Sequence, residues 1–147
     1  MTSKPVNDSL TGRLAVVTGA TRGIGYAIAA RIQSMGARVI GTGRASTGTV
    51  PDGCELRAVD LADEASTAAF VSELNALRPD ILVNNAGINR LAPIATITPD
   101  IVTELHRINV LAPLRLCQAV LPAMRTRRSG RIVNITSVWS LRSITGR

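Results

Sequence analysis

Apolar residues along this chain follow two alternating rhythms. Short apolar runs bounded by glycine or polar residues predict five strands: Leu14 to Thr18 (LAVVT), Arg38 to Thr42, Glu55 to Val59, Ile81 to Asn84 (ILVN) and Arg131 to Ile135 (RIVNI). Between them, apolar positions recur at helical spacing over Gly23 to Met35, Ala62 to Leu77 and a long stretch from Pro99 to Thr126. Pro113 and Pro122 interrupt that last stretch, and a kink or break is expected near each, because proline lacks an N–H and crowds the preceding turn. Gly43 to Gly53, rich in Gly, Ser and Thr, reads as a loop. Strands alternating with helices imply parallel pairing through right-handed crossovers, hence an α/β doubly wound sheet of about five strands with helices on both faces. Residues 1–12 read as a loose arm and 13–147 as one domain, without repeats or a linker.

Composition sharpens this picture. With 46% hydrophobic residues but only 2% aromatic, the core must be built from Val, Ile, Leu and Ala, which suits parallel strands covered by helices. No apolar run is long enough to span a bilayer and the N-terminus has no signal-like core, so a cytoplasmic protein without membrane contact is expected. Cys54 and Cys117 lack metal-ligand or redox spacing and read as free core thiols, with no metal site implied. The formal net charge of +7 raises nucleic acid as a partner. However, Lys4 is the only lysine, and the one arginine cluster, Arg125, Arg127, Arg128 and Arg131, falls where a helix should end and complements its dipole. No nucleic-acid motif accompanies it, and no nucleic-acid partner is expected. His106 reads as a surface residue.

The most informative segment is Thr18-Gly19-Ala20-Thr21-Arg22-Gly23-Ile24-Gly25, placed where the first strand gives way to the first helix. That context suits a pyrophosphate: Gly19 permits the tight turn, Gly23 lets the backbone approach the anion, Gly25 allows close helix–strand packing, and the helix N-terminal amides face the ligand.

The spacing Gly-x-x-x-Gly-x-Gly resembles the short-chain dehydrogenase/reductase family, and further motifs follow along the chain from about Leu10 onward. The resemblance implies an incomplete Rossmann-type domain that binds NADP(H) through Gly19, Thr21, Arg22, Gly23, Ile24 and Gly25. It implies that Asp60 and the amide of Leu61 hold the adenine, and that Asn84-Asn85-Ala86-Gly87 supports the sheet and lines the ribose side through Asn85, Ala86 and Gly87. It assigns Asn109 to anchoring a water near the reacting groups, and Ser137, ahead of Thr136 and Ser140, to hydrogen-bonding a small-molecule carbonyl or alcohol substrate. Trp139 either lines the substrate pocket or packs on the core. A homo-oligomer is implied for the full-length form.

Cofactor choice turns on the end of the second strand, Gly41-Thr42-Gly43-Arg44. An acid at Gly43 would accept hydrogen bonds from a free ribose 2′-hydroxyl and repel a 2′-phosphate. Glycine stands there instead, flanked by Arg44 and facing Arg22, whose planar guanidinium groups match a phosphate. NADP is therefore expected over NAD, with Gly43→Asp expected to reverse the preference.

The family resembled places a Tyr-x-x-x-Lys pair about a dozen residues after the serine, where tyrosine transfers the proton and lysine lowers its pKa. Here the only tyrosine is Tyr26 and the only lysine Lys4. The alternative reading is a non-catalytic nucleotide-binding module, and the fifth strand is expected to have an uncovered edge. These 147 residues are expected to show no measurable reduction of simple ketones or β-ketoesters with NADPH. Turnover from the pure chain at rates ordinary for enzymes would show that the Tyr-x-x-x-Lys segment is dispensable.

Overall fold

The computed structural model describes residues 9–137; Trp139 and Ser140 therefore lie outside the described residues, as do the first eight residues of the arm. Five strands form one parallel sheet: β1 (Leu14–Val17), β2 (Arg38–Gly43), β3 (Cys54–Ala58), β4 (Ile81–Asn84) and β5 (Arg131–Asn134), in the order β3-β2-β1-β4-β5. The order reverses between β1 and β4, so the crevice outside their carboxyl ends is where a doubly wound sheet places its ligand. Helices α1 (Gly23–Ser34) and α2 (Glu64–Leu77) connect the strands on opposite faces, and α3 (Pro99–His106), a π-helical segment (Arg107–Leu111) and α4 (Ala112–Thr126) together link β4 to β5.

Period-two alternation in β1 divides the core. Val16 points with Ile40, Leu82, Phe70, Leu74, Leu116 and Val120 into the layer beneath α2 and α4. Ala15 and Val17 point with Val39 and Val83 toward Ala29 of α1. Among the described residues Phe70 is the only aromatic in either cluster, so aliphatic packing carries the interior as the composition requires.

The two prolines leave different marks on the helical link. Pro113 sits in the first turn of α4, where its missing N–H is tolerated, and the irregularity lies just before it, where Ala112 N–H donates to the Arg107 carbonyl in the π-helical segment. Pro122 lies inside α4 without ending it. Pro122 and Gln118, whose carbonyl loses its partner, are both exposed, so water can take the place of the absent donor.

At the amino end of the sheet, Asp80 joins three strands. Its carboxylate accepts from Leu14 N–H (3.0 Å) and Arg13 (3.2 Å), while Arg131 N–H donates to its carbonyl (2.9 Å). Arg127 hydrogen-bonds the carbonyls of Arg78, Pro79 and Ser129, which puts this member of the arginine cluster in a structural role at the end of α4. Both thiols are free and half-buried as expected, and burial pushes that of Cys54 up. His106 is exposed.

The two sheet edges differ. At β3, Arg38 meets Glu55 (2.7 Å) and Arg57 meets Glu73 (2.9 Å), and the Arg38 hydrogen bond holds the Glu55 carboxyl below its ordinary value. Charges of this kind discourage edge-to-edge pairing. At β5, Val133 and the following Ile135 are exposed apolar side chains. Among the described residues no helix is long and apolar enough to cross a membrane.

Leu82, fully buried in β4, tests the core. Leu82→Ala is expected to lower stability by about 2–5 kcal/mol and Val102→Ala, on exposed α3, by under about 0.5 kcal/mol, both measured by denaturant unfolding. Equal effects would place the core elsewhere.

Candidate nucleotide and substrate site

β1 ends at the site because Thr18 turns its side chain across the crevice. Thr18 Oγ1 accepts from the backbone N–H groups of Asn85 (3.0 Å) and Ala86 (2.9 Å), and Thr18 N–H donates to the Val83 carbonyl (2.9 Å). Asn85 Nδ2 returns the contact, donating to the carbonyls of Thr18 (2.9 Å) and Gly19 (3.1 Å). The glycine turn is also fastened to β2: Gly19 N–H donates to Thr42 Oγ1 (3.3 Å) and Ala20 N–H to the Thr42 carbonyl (2.8 Å).

The glycines fit this scaffold. Gly19 has φ +66°, and a Cβ there would lie 2.9 Å from Ala86 Cα. A Cβ at Gly25 would collide with the Gly19 carbonyl and with Asn85 Nδ2, so the close packing assigned to Gly25 is packing onto the Thr18–Asn85 contact. Gly23 has φ +57° with nothing within 4 Å of a Cβ position, leaving open space at the start of α1.

The N-terminus of α1 is uncapped. Arg22 occupies the cap position without a side-chain hydrogen bond to the helix, and the first turn holds no acid. By contrast, Asp63 caps α2 through Ala65 N–H and Thr98 caps α3 through Ile101 N–H. Free amides at one helix end alone, beside a cleft of about 710 Å³, fit a phosphate group. Thr21, Arg22, Gly23, Ile24, Gly25, Arg44, Asn85, Ala86 and Gly87 all line that cleft. Arg22 and Arg44 are exposed, and neither guanidinium has a hydrogen bond or ion pair among the described residues.

A narrower slot of about 100 Å³ adjoins the cleft, with Val59, Asp60, Leu61 and Ile108 in its walls. Asp60 Oδ1 accepts from Ala62 N–H (2.9 Å), so its carboxylate also organises the turn into α2.

On the other side of Asn85 and Ala86 lies a cavity of about 670 Å³ that contains Ile24, Asn109, Cys117, Thr136 and Ser137. Asn109 falls in the π-helical segment, where its side chain embraces one residue of the loop after β4: Oδ1 accepts from Ile88 N–H (2.9 Å) and Nδ2 donates to the Ile88 carbonyl (2.8 Å). Because residue 113 is proline, the Asn109 carbonyl has no N–H four residues ahead to receive. Asn84 Nδ2 donates to Asn134 Oδ1 (2.8 Å), tying the carboxyl ends of β4 and β5 beneath the cavity. Ile24, 65% exposed, is shared by the cleft and the cavity.

Sequence reasoning selected residues that the fold does gather at one sheet end. It missed Thr18 and Thr42 as organisers and Ile88 as the partner of Asn109. A buried threonine closing an apolar strand run was the available signal for the first two.

Residues 13–147 match the family profile described as short chain dehydrogenase. The 3-oxoacyl-[acyl-carrier-protein] reductase FabG of Salmonella typhimurium is 38% identical over 138 residues, an alignment covering 88% of this chain and 57% of that protein. The chain therefore spans little more than half the length of this curated relative. Among solved structures, a putative NAD(P) dependent gluconate 5-dehydrogenase from Beutenbergia cavernae, with bound NADP at low occupancy, is 37% identical with a TM-score of 0.84, covering 95% of this chain and 60% of the other. A 3-oxoacyl (acyl-carrier-protein) reductase from Agrobacterium tumefaciens with NADP bound is 31% identical with a TM-score of 0.84, covering 99% and 61%. The family profile extends over the nucleotide cleft and the Ser137 cavity alike, and the chain belongs to the short-chain dehydrogenase family.

Proposed function

We propose that the chain forms the cofactor-binding and substrate-orienting part of a cytoplasmic NADP(H)-dependent oxidoreductase acting on a small carbonyl or alcohol. The observation that carries this reading is the meeting of two spaces at one sheet end: the uncapped α1 terminus with Arg22 and Arg44 on one side, and the Ser137 cavity on the other. NADP in the Beutenbergia and Agrobacterium structures supports the cofactor assignment.

In this arrangement the α1 amides and Gly23 receive the pyrophosphate, while Arg22 and Arg44 meet the 2′-phosphate. Asp60 and Leu61 border the adenine, and Asn85, Ala86 and Gly87 flank the ribose. Bound NADP(H) supplies or accepts hydride at its nicotinamide. Ile24, reaching into both spaces, covers the ring and keeps water from it. Ser137 Oγ hydrogen-bonds the substrate oxygen and fixes which carbon faces the ring. The Asn109 side chain is committed to Ile88, so its backbone carbonyl is the group left to anchor a water beside the substrate. Exposed Val110, Leu114 and Leu121 on the helical link to β5 support a homo-oligomeric full-length form.

Titration with the two nucleotides tests the phosphate assignment. One charge-assisted contact contributes about 1.5–3 kcal/mol, so Arg44→Ala is expected to weaken NADPH roughly ten- to a hundredfold and NADH far less. Tighter binding of NADH than NADPH by the unsubstituted protein would overturn the cofactor assignment and leave the family intact. For Ser137, the informative protein also carries a Tyr-x-x-x-Lys segment after residue 147. There Ser137→Ala is expected to lower kcat by about a hundredfold, the scale of losing one donor to a developing charge, with a much smaller change in NADPH affinity. Parallel losses of turnover and nucleotide affinity would assign Ser137 to folding.

A further inference from the structure

The turn and β2 fit together through two opposed pairs. Ala20 Cβ lies 2.7 Å from the position of a Cβ on Gly41, and Thr21 Cγ2 lies 2.5 Å from that of a Cβ on Gly43. The same Thr21 methyl lies 2.7 Å from a Cβ position on Gly48, in the turn closed by Gly48 N–H donating to the Ala45 carbonyl (3.4 Å). Neither Gly43 nor Gly48 has the positive φ that by itself demands glycine. What both positions lack room for is a side chain, and at Gly43 the obstruction is this methyl alone, since the next atom, Leu56 Cδ1, stands at an ordinary 3.5 Å.

We propose that Thr21 is a specificity-determining residue for the nucleotide. Its γ-methyl fills the space between Gly43 and Gly48 that an NAD-selecting acid at position 43 would need, so preference is a property of the 21/43 pair. The inference deepens the NADP reading above and rests on it. Arg44 and the turn from Ala45 to Gly48 follow Gly43, and that turn meets Thr21 at Gly48, so a Cβ forced in at position 43 displaces the phosphate-facing loop as well as the methyl. The reversal expected of Gly43→Asp from sequence therefore acquires a condition: the carboxylate reaches a ribose hydroxyl only when residue 21 makes room. Thr21 is β-branched and restricted at χ1, so it has fewer ways to move aside than a long side chain would.

A double-mutant cycle on the 147-residue chain tests the pair. Gly43→Ala adds only the offending Cβ, and Thr21→Ser removes only the methyl that meets it. Without nucleotide, G43A is expected to lower the melting temperature by about 3 °C or more in the Thr21 background and by less than about 1 °C in the T21S background. With nucleotide, G43D alone is expected to weaken NADH and NADPH alike by about tenfold or more, whereas T21S/G43D binds NADH more tightly than NADPH. Equal cost of G43A in both backgrounds, or reversal by G43D alone at an unchanged melting temperature, would overturn the proposal. The ligand-free arm separates this from the cofactor reading: NADH preference in the unsubstituted chain would remove the specificity role of Thr21, while the melting cycle alone decides whether the steric pair exists.

Discussion

The site depends on how the fold bridges the place where its strand order reverses. Between β1 and β4 the ladder closes with Thr18 N–H on the Val83 carbonyl, and the backbone groups that follow on the facing sides need other partners. Thr18 and Asn85 supply the missing partners reciprocally: the hydroxyl accepts two N–H groups of the β4 end, and the amide serves two carbonyls of the β1 end. With Thr18 only 1% exposed, loss of its hydroxyl would leave the part-buried N–H groups of Asn85 and Ala86 without this acceptor. The crevice is thereby held at fixed width by bonds lying under the ligand surface, leaving that surface free.

The glycine pattern follows from the same geometry. Gly25 leaves room for the Asn85–Gly19 bond, Gly41 for Ala20, and Gly43 and Gly48 for Thr21. Glycines that resemble a ligand motif in sequence are thus partly the negative imprint of neighbouring side chains. Gly23 alone of the three motif glycines has open space over it, and there the φ of +57° rather than a neighbour calls for glycine. The motif consequently specifies two things at once: how closely the turn, β2 and the β4 end approach, and where an anion can approach them.

Much of this was legible in the chain. Alternation of apolar runs with helical spacing gave five strands in nearly their observed places, because buried parallel strands leave an unmistakable aliphatic run, as in ILVN. The strand predicted at Glu55 to Val59 instead runs Cys54–Ala58, and the second helix starts at Glu64, after the Asp63 cap. Capping geometry, not periodicity, sets that boundary. Of the kink or break expected near Pro122, the break does not occur: the proline lies inside α4 at an exposed position where water can replace the lost donor. The Asn109–Ile88 contact was illegible for a different reason: it depends on the π-helical register at Arg107–Leu111, and no local propensity announces an extra residue in a turn. The 21/43 contact was hidden likewise, since it joins the turn after β1 to the end of β2, which only the sheet brings together.

The two ends of the sheet follow opposite economies of hydrogen bonding. At the amino end, Asp80 and Arg127 satisfy a strand amide and the carbonyls just beyond α2 and α4 internally, so that end is closed. At the carboxyl end, the helix amides of α1 are left without a side-chain cap, while α2 and α3, away from the cleft, each have one. An uncapped helix start sacrifices about 0.5–2 kcal/mol of local stability that serine, threonine or aspartate would have supplied. A side-chain carboxylate at that cap would satisfy the amides and occupy the place of the phosphate, so stability and binding compete for the same N–H groups. Arg22 at the cap settles the competition in favour of an external anion: it cannot accept from the helix, and its positive charge adds to the dipole instead of cancelling it. On the proposed function, a bound nucleotide would supply the missing cap, so that the folded state would gain stability in proportion to occupancy and the local deficit of the free protein would become part of the affinity.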